Sequence, residues 1–285
     1  MIKDLIEHLF WRRSSLKGQQ DFASLSKGIV LTIIDVGAQK LNWEDHIYDP
    51  ICTPRIKHRI IGFEALEERA FERSDLGEKD VTIHPVAVGD GLEHTLYVNN
   101  DDATSSLFPL NEELCNDFEH LCTLKTVATK KITTSRLDDL IPDCVVDFLK
   151  LDIQGGELLA LESGRNVLER TAVVHCEVEF DQIYRGQPLF SDISTFMHAS
   201  GFYLVDLIIP HRYSYENADQ TKSPDRLLWA EAVFFKKTSV ARLLRSQALI
   251  AALVYNKPTL AAHLANGIQN NPKRKTLLRD DDQKF

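Results

Sequence analysis

Short apolar runs recur along the chain, and each closes on an acid. Gly28–Asp35 (GIVLTIID), Arg59–Glu64 (RIIGFE), Val81–Val88 (VTIHPVAV, followed by Gly89-Asp90), Val145–Asp152 (VVDFLKLD) and Ala172–Glu179 (AVVHCEVE) are near-continuous and rich in β-branched residues. Runs of this kind mark parallel strands covered on both faces. Between most of them the spacing becomes helical, over Ala65–Leu76, Glu157–Leu168 and Phe190–Ala199. The alternation predicts an α/β fold whose sheet is mostly parallel, with helices on both faces. Phe202–Ile209 and Trp229–Phe235 read as closing strands, which makes seven, and the polar stretch Pro210–Arg226 between them reads as a loop or flap.

Two inserts interrupt this rhythm. No clear helix shows in residues 40–58. Residues 91–135 hold an alternating strand (His94–Val98), a polar DDATSSL, a helix over Asn111–Leu121 and a second alternating strand (Thr126–Thr134). Inserts of this kind usually build the substrate side of a site. After Lys237 the pattern is helical again, over Val240–Tyr255 and Thr259–Leu264. The pattern divides the chain into an N-terminal helix (1–28), a main domain (29–237), C-terminal helices (238–266) and a polar tail (267–285) expected to be disordered.

Ile2, Leu5, Ile6, Leu9 and Phe10 place one apolar stripe on the N-terminal helix. It reads first as a face packing on the main domain or on a second copy, so the terminal helices can support a homo-oligomer. The sharper reading, a surface anchor with Trp11, Arg12 and Arg13 at a membrane, is not favoured. No apolar run reaches the length of a spanning helix. The net charge of −9 argues against nucleic acid as a partner. The five cysteines, Cys52, Cys115, Cys122, Cys144 and Cys176, include no CxxC pair, which fits reduced thiols in the cytoplasm.

The acids carry the chemistry. In an open parallel sheet, ligands bind beyond the carboxyl ends of the strands. Those ends bear Asp35, Glu64, Asp90, Asp152 and the pair Glu177/Glu179. One such acid is readily a helix cap, but so many ask for a polar ligand. The turn DVGAQ (Asp35–Gln39) has the single glycine Gly37, not GxGxxG, and there is no GxxxxGK[ST]. Dinucleotides and P-loop nucleotides are therefore disfavoured. Glu64 suits a ribose diol, and an acid-rich cleft suits the sulfonium of S-adenosylmethionine.

Eight segments carry a family likeness: IDVGAQ (34–39), IGFEAL (61–66), HPVAVGDG (84–91), TSSLF (104–108), FLKLDIQGGELLAL (148–161), EVEFDQIYRGQPLF (177–190), GFYLVDL (201–207) and WAEAVFF (229–235). On these the chain resembles the FkbM family of S-adenosylmethionine-dependent methyltransferases, over roughly residues 29–237. The resemblance implies a Rossmann-like class I fold. It also implies that Asp35, Gly37, Ala38 and the neighbouring Gln39 line the methionine end of the cofactor. Glu64 would hold the ribose, Val88, Gly89 and Asp90 would border the adenine, and Asp152 and Gln154 would face the methionine end and the acceptor. Gln39-Lys40-Leu41 departs from the second glycine or Asn-x-Gly common in family loops.

Methyl transfer to a hydroxyl needs a positioned acceptor and a base. Asp152, Glu177 and Glu179 are the candidates, and His175 on the same strand face reads as a core histidine. The same three acids could supply oxygen to a divalent metal, but no spacing indicates one. Tyr184, Arg185 and Gln187, with Ser105 and Ser106, are candidate acceptor contacts; the competing readings are packing for Tyr184 and an ordinary turn for the serines. Glu157, in the first turn of the next helix, reads as structural. The reading is an O-methyltransferase acting on a hydroxyl of a sugar or glycan, with a small-molecule or glycan acceptor as partner. The alternatives are a non-catalytic glycan- or partner-binding protein and a nicotinamide-dependent oxidoreductase.

Overall fold

The computed structural model describes residues 24–40, 45–216 and 223–269. The N-terminal helix, most of the polar tail and the centre of the Pro210–Arg226 segment lie outside them. The chain divides into two compact units. One comprises Met1–Thr32, Trp43–Arg59 and Lys237–Phe285, the other Ile33–Asn42 and Ile60–Lys236.

The described residues form nine strands: β1 (Leu31–Val36), β2 (His58–Phe63), β3 (Val81–His84), β4 (Glu93–Asn99), β5 (Thr126–Thr133), β6 (Val146–Leu151), β7 (Thr171–Glu179), β8 (Phe202–Tyr213) and β9 (Arg226–Lys236). Seven of them make one sheet in the order β3-β2-β1-β6-β7-β9-β8. The pairs β2/β3, β1/β6 and β6/β7 are parallel; only β9 runs antiparallel to its neighbours β7 and β8. The fold class is the α/β class that the hydrophobic pattern predicts. The order reverses beside β1 and β6, and at such a switch point the loops part and leave a crevice beyond the strand ends.

Ile34, Val36, Leu149, Leu151, Val174, Cys176 and Val178 point to one face of this sheet. There they form a core with residues of the helices Glu157–Ser163, Arg165–Glu169 and Phe190–Ala199. Alternation sends Asp35, Lys150, His175 and Glu177 to the opposite face. The helix Glu67–Ser74 brings Arg73 to that side. β4 and β5 form a separate antiparallel pair. In the other unit, the helices Ala241–Leu253 and Pro258–Gln269 pack together, and Arg245 donates from Nη2 to the carbonyls of Leu25 (2.8 Å) and Lys27 (2.6 Å).

Four local departures from the pattern have physical causes. The third strand stops at His84 rather than running to Val88, because Pro85 has no N–H for the ladder. The Glu157–Leu168 helix is two helices, divided at Gly164, where an added Cβ would lie 2.9 Å from the Leu137 Cβ. The Asn111–Leu121 helix reduces to one turn, Glu112–Cys115, ahead of a left-handed His120 (φ 71°). The expected flap begins later, because β8 continues through Pro210 to Tyr213. It does so by shifting register between Ile208 and His211, with Ile209 at φ 48°, which is how a strand absorbs a residue that cannot donate.

Candidate functional site

The register of the sheet sets the site. Asp35 lies beside Lys150, and Lys150 beside His175. One step nearer the carboxyl edge, Glu177 opposes Glu231, and Glu179 opposes Trp229. This builds a row of ionisable groups across one face of a buried sheet, where each must be compensated or neutralised.

At the β1 end the compensation is complete. Asp35 and Arg73 are both fully buried, with Arg73 Nη1 3.1 Å from Asp35 Oδ2. The same Nη1 donates to the Ala38 carbonyl at 2.8 Å. Lys150 Nζ lies 3.7 Å from Asp35 Oδ1 and donates to Asp152 Oδ2 at 3.1 Å. Burial pulls the Lys150 ammonium down, but Asp152, Asp35 and Glu231 outweigh it and hold it above its usual range. Burial likewise pushes Asp152 up, yet Lys150 and the hydrogen bond from Gln154 hold its carboxyl below the usual carboxylate range. Asp35 is thus placed as the buried partner of two cations.

The glycine turn serves the backbone around it. Gly37 has φ 84°, and a Cβ there would come within 1.8 Å of the Asp152 carbonyl oxygen. The amides of Gly37 and Ala38 both donate to the Phe63 carbonyl, at 3.0 and 3.1 Å. Gly37 therefore lets β1 leave the sheet hard against the end of β6. Glu64, at the end of β2, accepts from the Leu66 amide at 2.9 Å and from the Gln39 backbone. Burial pushes its carboxyl up to about 7. The Gln39 amide donates to Asp102 Oδ1 at 3.2 Å, and Asp102 also receives the Arg69 guanidinium.

Val88 and Gly89 are tied to the segment just after β5. Val88 bridges to Ser135, and a Cβ on Gly89 would meet the Thr134 side chain at 2.9 Å. Asp90 Oδ1 lies 2.8 Å from His94 Nε2 and accepts from the Leu92 amide. Burial raises the Asp90 carboxyl, but His94 and the Leu92 amide outweigh that and hold it below the ordinary range.

At the β7 end the compensation fails. Burial is the main reason Glu177 stands well above the usual carboxylate range; Asp152, Glu179 and Glu231 add to it. Burial also raises Glu179, with Glu157 next, against a hydrogen bond from Gln187. Among the described residues, Glu179 Oε2 is a buried acceptor with no hydrogen-bond donor. His175 Nε2 is 3.0 Å from Glu231 Oε2, and its ring stacks with Phe148. Glu157 turns back instead: its Oε1 accepts from the Ile153 amide at 2.7 Å, and burial raises it to about 7.

Gln154 links these acids to the insert. Its Nε2 donates to Asp152 Oδ1 (3.1 Å) and Glu177 Oε2 (2.6 Å), and its Oε1 accepts from the Tyr184 hydroxyl at 2.8 Å. Tyr184 is buried and also lies 2.8 Å from the Thr104 carbonyl. Ser106 Oγ donates to the Gln154 carbonyl at 2.6 Å. Gln187 Oε1 accepts from the Tyr184 amide at 2.6 Å. Ser105 turns aside to accept from the Asn99 amide, and Arg185 is exposed, with its backbone amide donating to the Pro109 carbonyl.

The structure thus brings Gln39, Glu64, Asp152, Gln154, Glu177, Glu179, Ser106, Tyr184 and Gln187 into one connected edge. Asp35, Gly37 and Ala38 support it from beneath, while Ser105 and Arg185 face elsewhere. The sequence reading missed Lys150, Glu231, Arg73 and Asp102. A lysine inside FLKLD and a glutamate inside WAEAVFF were visible exceptions to apolar strands; nothing local marked Arg73 or Asp102.

A family model described as the methyltransferase FkbM domain matches residues 35–204, more than half of the chain. The chain belongs to the methyltransferase FkbM family. The match spans β1 through the start of β8 and includes every acid of the edge except Glu231. Among solved structures, the chain is similar to the methyltransferase FkbM from Methylobacillus flagellatus KT, at 16% identity and TM-score 0.41, covering 75% of this chain and 47% of that one. The chain therefore spans about half the length of that relative. It is also similar to magnesium protoporphyrin IX methyltransferase from Synechocystis PCC 6803 with bound SAM, at 9% identity and TM-score 0.34, covering 79% of this chain and 80% of that one. No curated protein matches the chain significantly.

Among the described residues, no three His, Cys, Asp or Glu side chains are grouped so as to hold a metal ion. Also among them, no helix is long and apolar enough to cross a membrane.

Several acids of the sheet edge match groups of S-adenosylmethionine. Glu64 offers acceptor oxygens at the end of β2, as a ribose diol requires. Asp152, Glu177 and Glu179 make the edge acidic, which suits an ammonium and a sulfonium, and Glu179 Oε2 is a buried acceptor lacking a donor. The acids fit the cofactor, whereas the turn at Gly37 and Ala38 has already spent its amides.

Proposed function

We propose that this chain is an S-adenosylmethionine-dependent O-methyltransferase whose acceptor is a hydroxyl of a sugar or glycan. The observation that carries this reading is the pair Glu177 and Glu179, buried at the end of β7 with no cationic partner among the described residues, beside an Asp152 held ionised by Lys150. A carboxyl pushed toward neutral pH is matched to taking a proton from a hydroxyl. Glu64 would hold the ribose, and Asp152 with Glu179 would face the cationic end of the cofactor. When bound, S-adenosylmethionine supplies an electrophilic methyl group on a positively charged sulfur. Tyr184, Gln187 and Ser106 shape the acceptor side from the insert and the segment after β7; Arg185 would meet the acceptor from solvent. A cytoplasmic setting fits the five free thiols.

Calorimetric titration of S-adenosylmethionine and S-adenosylhomocysteine, with Glu64→Gln alongside, tests the cofactor. Transfer of labelled methyl to a panel of sugars and glycosides then tests the acceptor. Micromolar binding lost in Glu64→Gln, followed by labelled sugar, is the expected result. One observation favours the non-catalytic reading: the Gly37 and Ala38 amides are already satisfied by Phe63. Folded protein that binds neither compound would bring that reading forward.

A further inference from the structure

Gln154 was read as a cofactor contact, but every polar group of its side chain is already engaged within the protein. Its Nε2 reaches one oxygen each of Asp152 and Glu177, and its Oε1 receives the Tyr184 hydroxyl. Its backbone sits in the left-handed region at φ 55°, where a residue other than glycine is costly. The strain is held by the Ser106 hydroxyl on the Gln154 carbonyl and by Gly155, whose φ of 93° completes the turn. A glutamine kept in such a conformation, with both amide protons aimed at two carboxylates, is built for orientation.

We propose that Gln154 is a positioning residue that singles out Glu177 as the base. Asp152 accepts from Gln154 at Oδ1 and from the Lys150 ammonium at Oδ2, and that cationic partner makes it the weaker base. Glu177 has one oxygen, Oε2, fixed by Gln154. In its ionised form, Glu177 takes the proton on its other oxygen, Oε1, as the acceptor O–H bond breaks. The two carboxylates draw the amide nitrogen toward them, which leaves its oxygen facing the Tyr184 hydroxyl, whose single hydrogen it shares with the Thr104 carbonyl. The insert thereby enters the mechanism: the Thr104 carbonyl shares the Tyr184 hydroxyl, so the base is oriented from outside the sheet.

The groups facing Glu177 are Asp152 and Lys150 from β6, Glu157 from the following helix, Cys176 and Glu179 from β7, Tyr184 after it, Tyr213 from β8 and Glu231 from β9. Two amide bonds favour the ionised carboxylates of Asp152 and Glu177, so losing them moves both titrations upward. The role of Glu177 as base rests on the methyltransferase reading above, but the titration is a property of the protein without ligand. The two can therefore fail separately.

The experiment is a carbon-13 NMR titration of labelled glutamate carboxyls, assigned to Glu177 by comparison with Glu177→Gln. It is run on the full chain, on Gln154→Leu and on Tyr184→Phe, with Tm measured for each. The expected result is an upward shift of the Glu177 midpoint in Gln154→Leu. Tyr184→Phe should shift it less and should speed exchange of the Gln154 side-chain amide protons with solvent. An unmoved Glu177 midpoint in folded Gln154→Leu overturns the proposal. If that variant does not fold, Tyr184→Phe decides: amide protons exchanging no faster than in the unmodified chain overturn it. Calorimetry with S-adenosylmethionine, run in parallel, reports on the enzymatic reading alone.

Discussion

Two ends of one sheet face carry buried carboxylates, and they are treated in opposite ways. At β1, Asp35 is bracketed by Arg73 and Lys150, with the guanidinium also satisfied by a carbonyl. At β7, Glu177 and Glu179 meet amides and other acids, and burial drives their pKa values up. Both arrangements solve the cost of burying charge, one by pairing and the other by favouring the protonated form. Pairing makes a carboxylate inert and structural; a raised pKa leaves it able to exchange a proton. In this fold, an acid at a strand end is therefore a stronger functional candidate when it lacks a cation than when it has one.

The comparison can be broken most severely beneath the β1 end. Gly37→Ala should abolish folding or cost several kcal/mol, since its Cβ would lie 1.8 Å from the Asp152 carbonyl oxygen at a φ of 84°. Soluble yield and denaturant unfolding measure this. Asp35→Ala should cost about 2–4 kcal/mol, because Arg73 and Lys150 lose the buried anion they share, while Arg73 keeps Glu78 at 3.4 Å. Chemical denaturation checks this, and Asp35→Leu combined with Arg73→Met should recover much of the loss. If Asp35→Ala unfolds at the denaturant concentration of the unmodified chain, the pairing argument fails.

The pH dependence sharpens the contrast next. Glu64 and Glu157 bind protons more tightly folded, at about 7, than at the unperturbed 4.5. Their contribution is fully present below 4.5 and is lost as pH rises toward about 7, so stability should fall across that window. Asp152 runs the other way. Its folded pKa is depressed, so its contribution is present above its ordinary value of 3.8 and is lost as pH falls through the folded pKa. Denaturation midpoints between pH 4 and 8 for the unmodified chain and Glu64→Gln report the Glu64 share as a flatter curve. A smaller effect is expected at β7. Glu177→Gln should change stability at pH 7 by less than about 1 kcal/mol, because an amide of the same shape replaces a carboxyl whose charged form burial disfavours. The least is expected of Arg185→Ala, within about 0.5 kcal/mol, as suits an exposed side chain.

Much of the architecture was legible because parallel strands buried on both faces must be apolar throughout, and five such runs stand out. Boundaries failed where one residue overrode the pattern: Pro85, Gly164 and Pro210 each changed an element without altering its neighbours' hydrophobicity. The acids of the edge were legible as acids, since a carboxylate in VVHCEVE is conspicuous. Their division into paired and unpaired was not. Arg73 reaches Asp35 from 38 positions away, and Asp102 reaches Arg69 across 33. Periodicity reports which face a side chain takes, but not what arrives there from elsewhere in the chain.

The segment from Asp102 to Ser106 grips the edge at both ends. Asp102 holds Gln39 and Arg69 on the β1–β2 side, while Thr104 and Ser106 hold Tyr184 and Gln154 on the β6–β7 side. Modularity in this domain is thereby limited. β4 anchors the segment, because Tyr97 exchanges backbone hydrogen bonds with Ser106 and the Asn99 side-chain amide reaches the Thr104 carbonyl, so exchanging that strand would loosen Gln39 and Gln154 together.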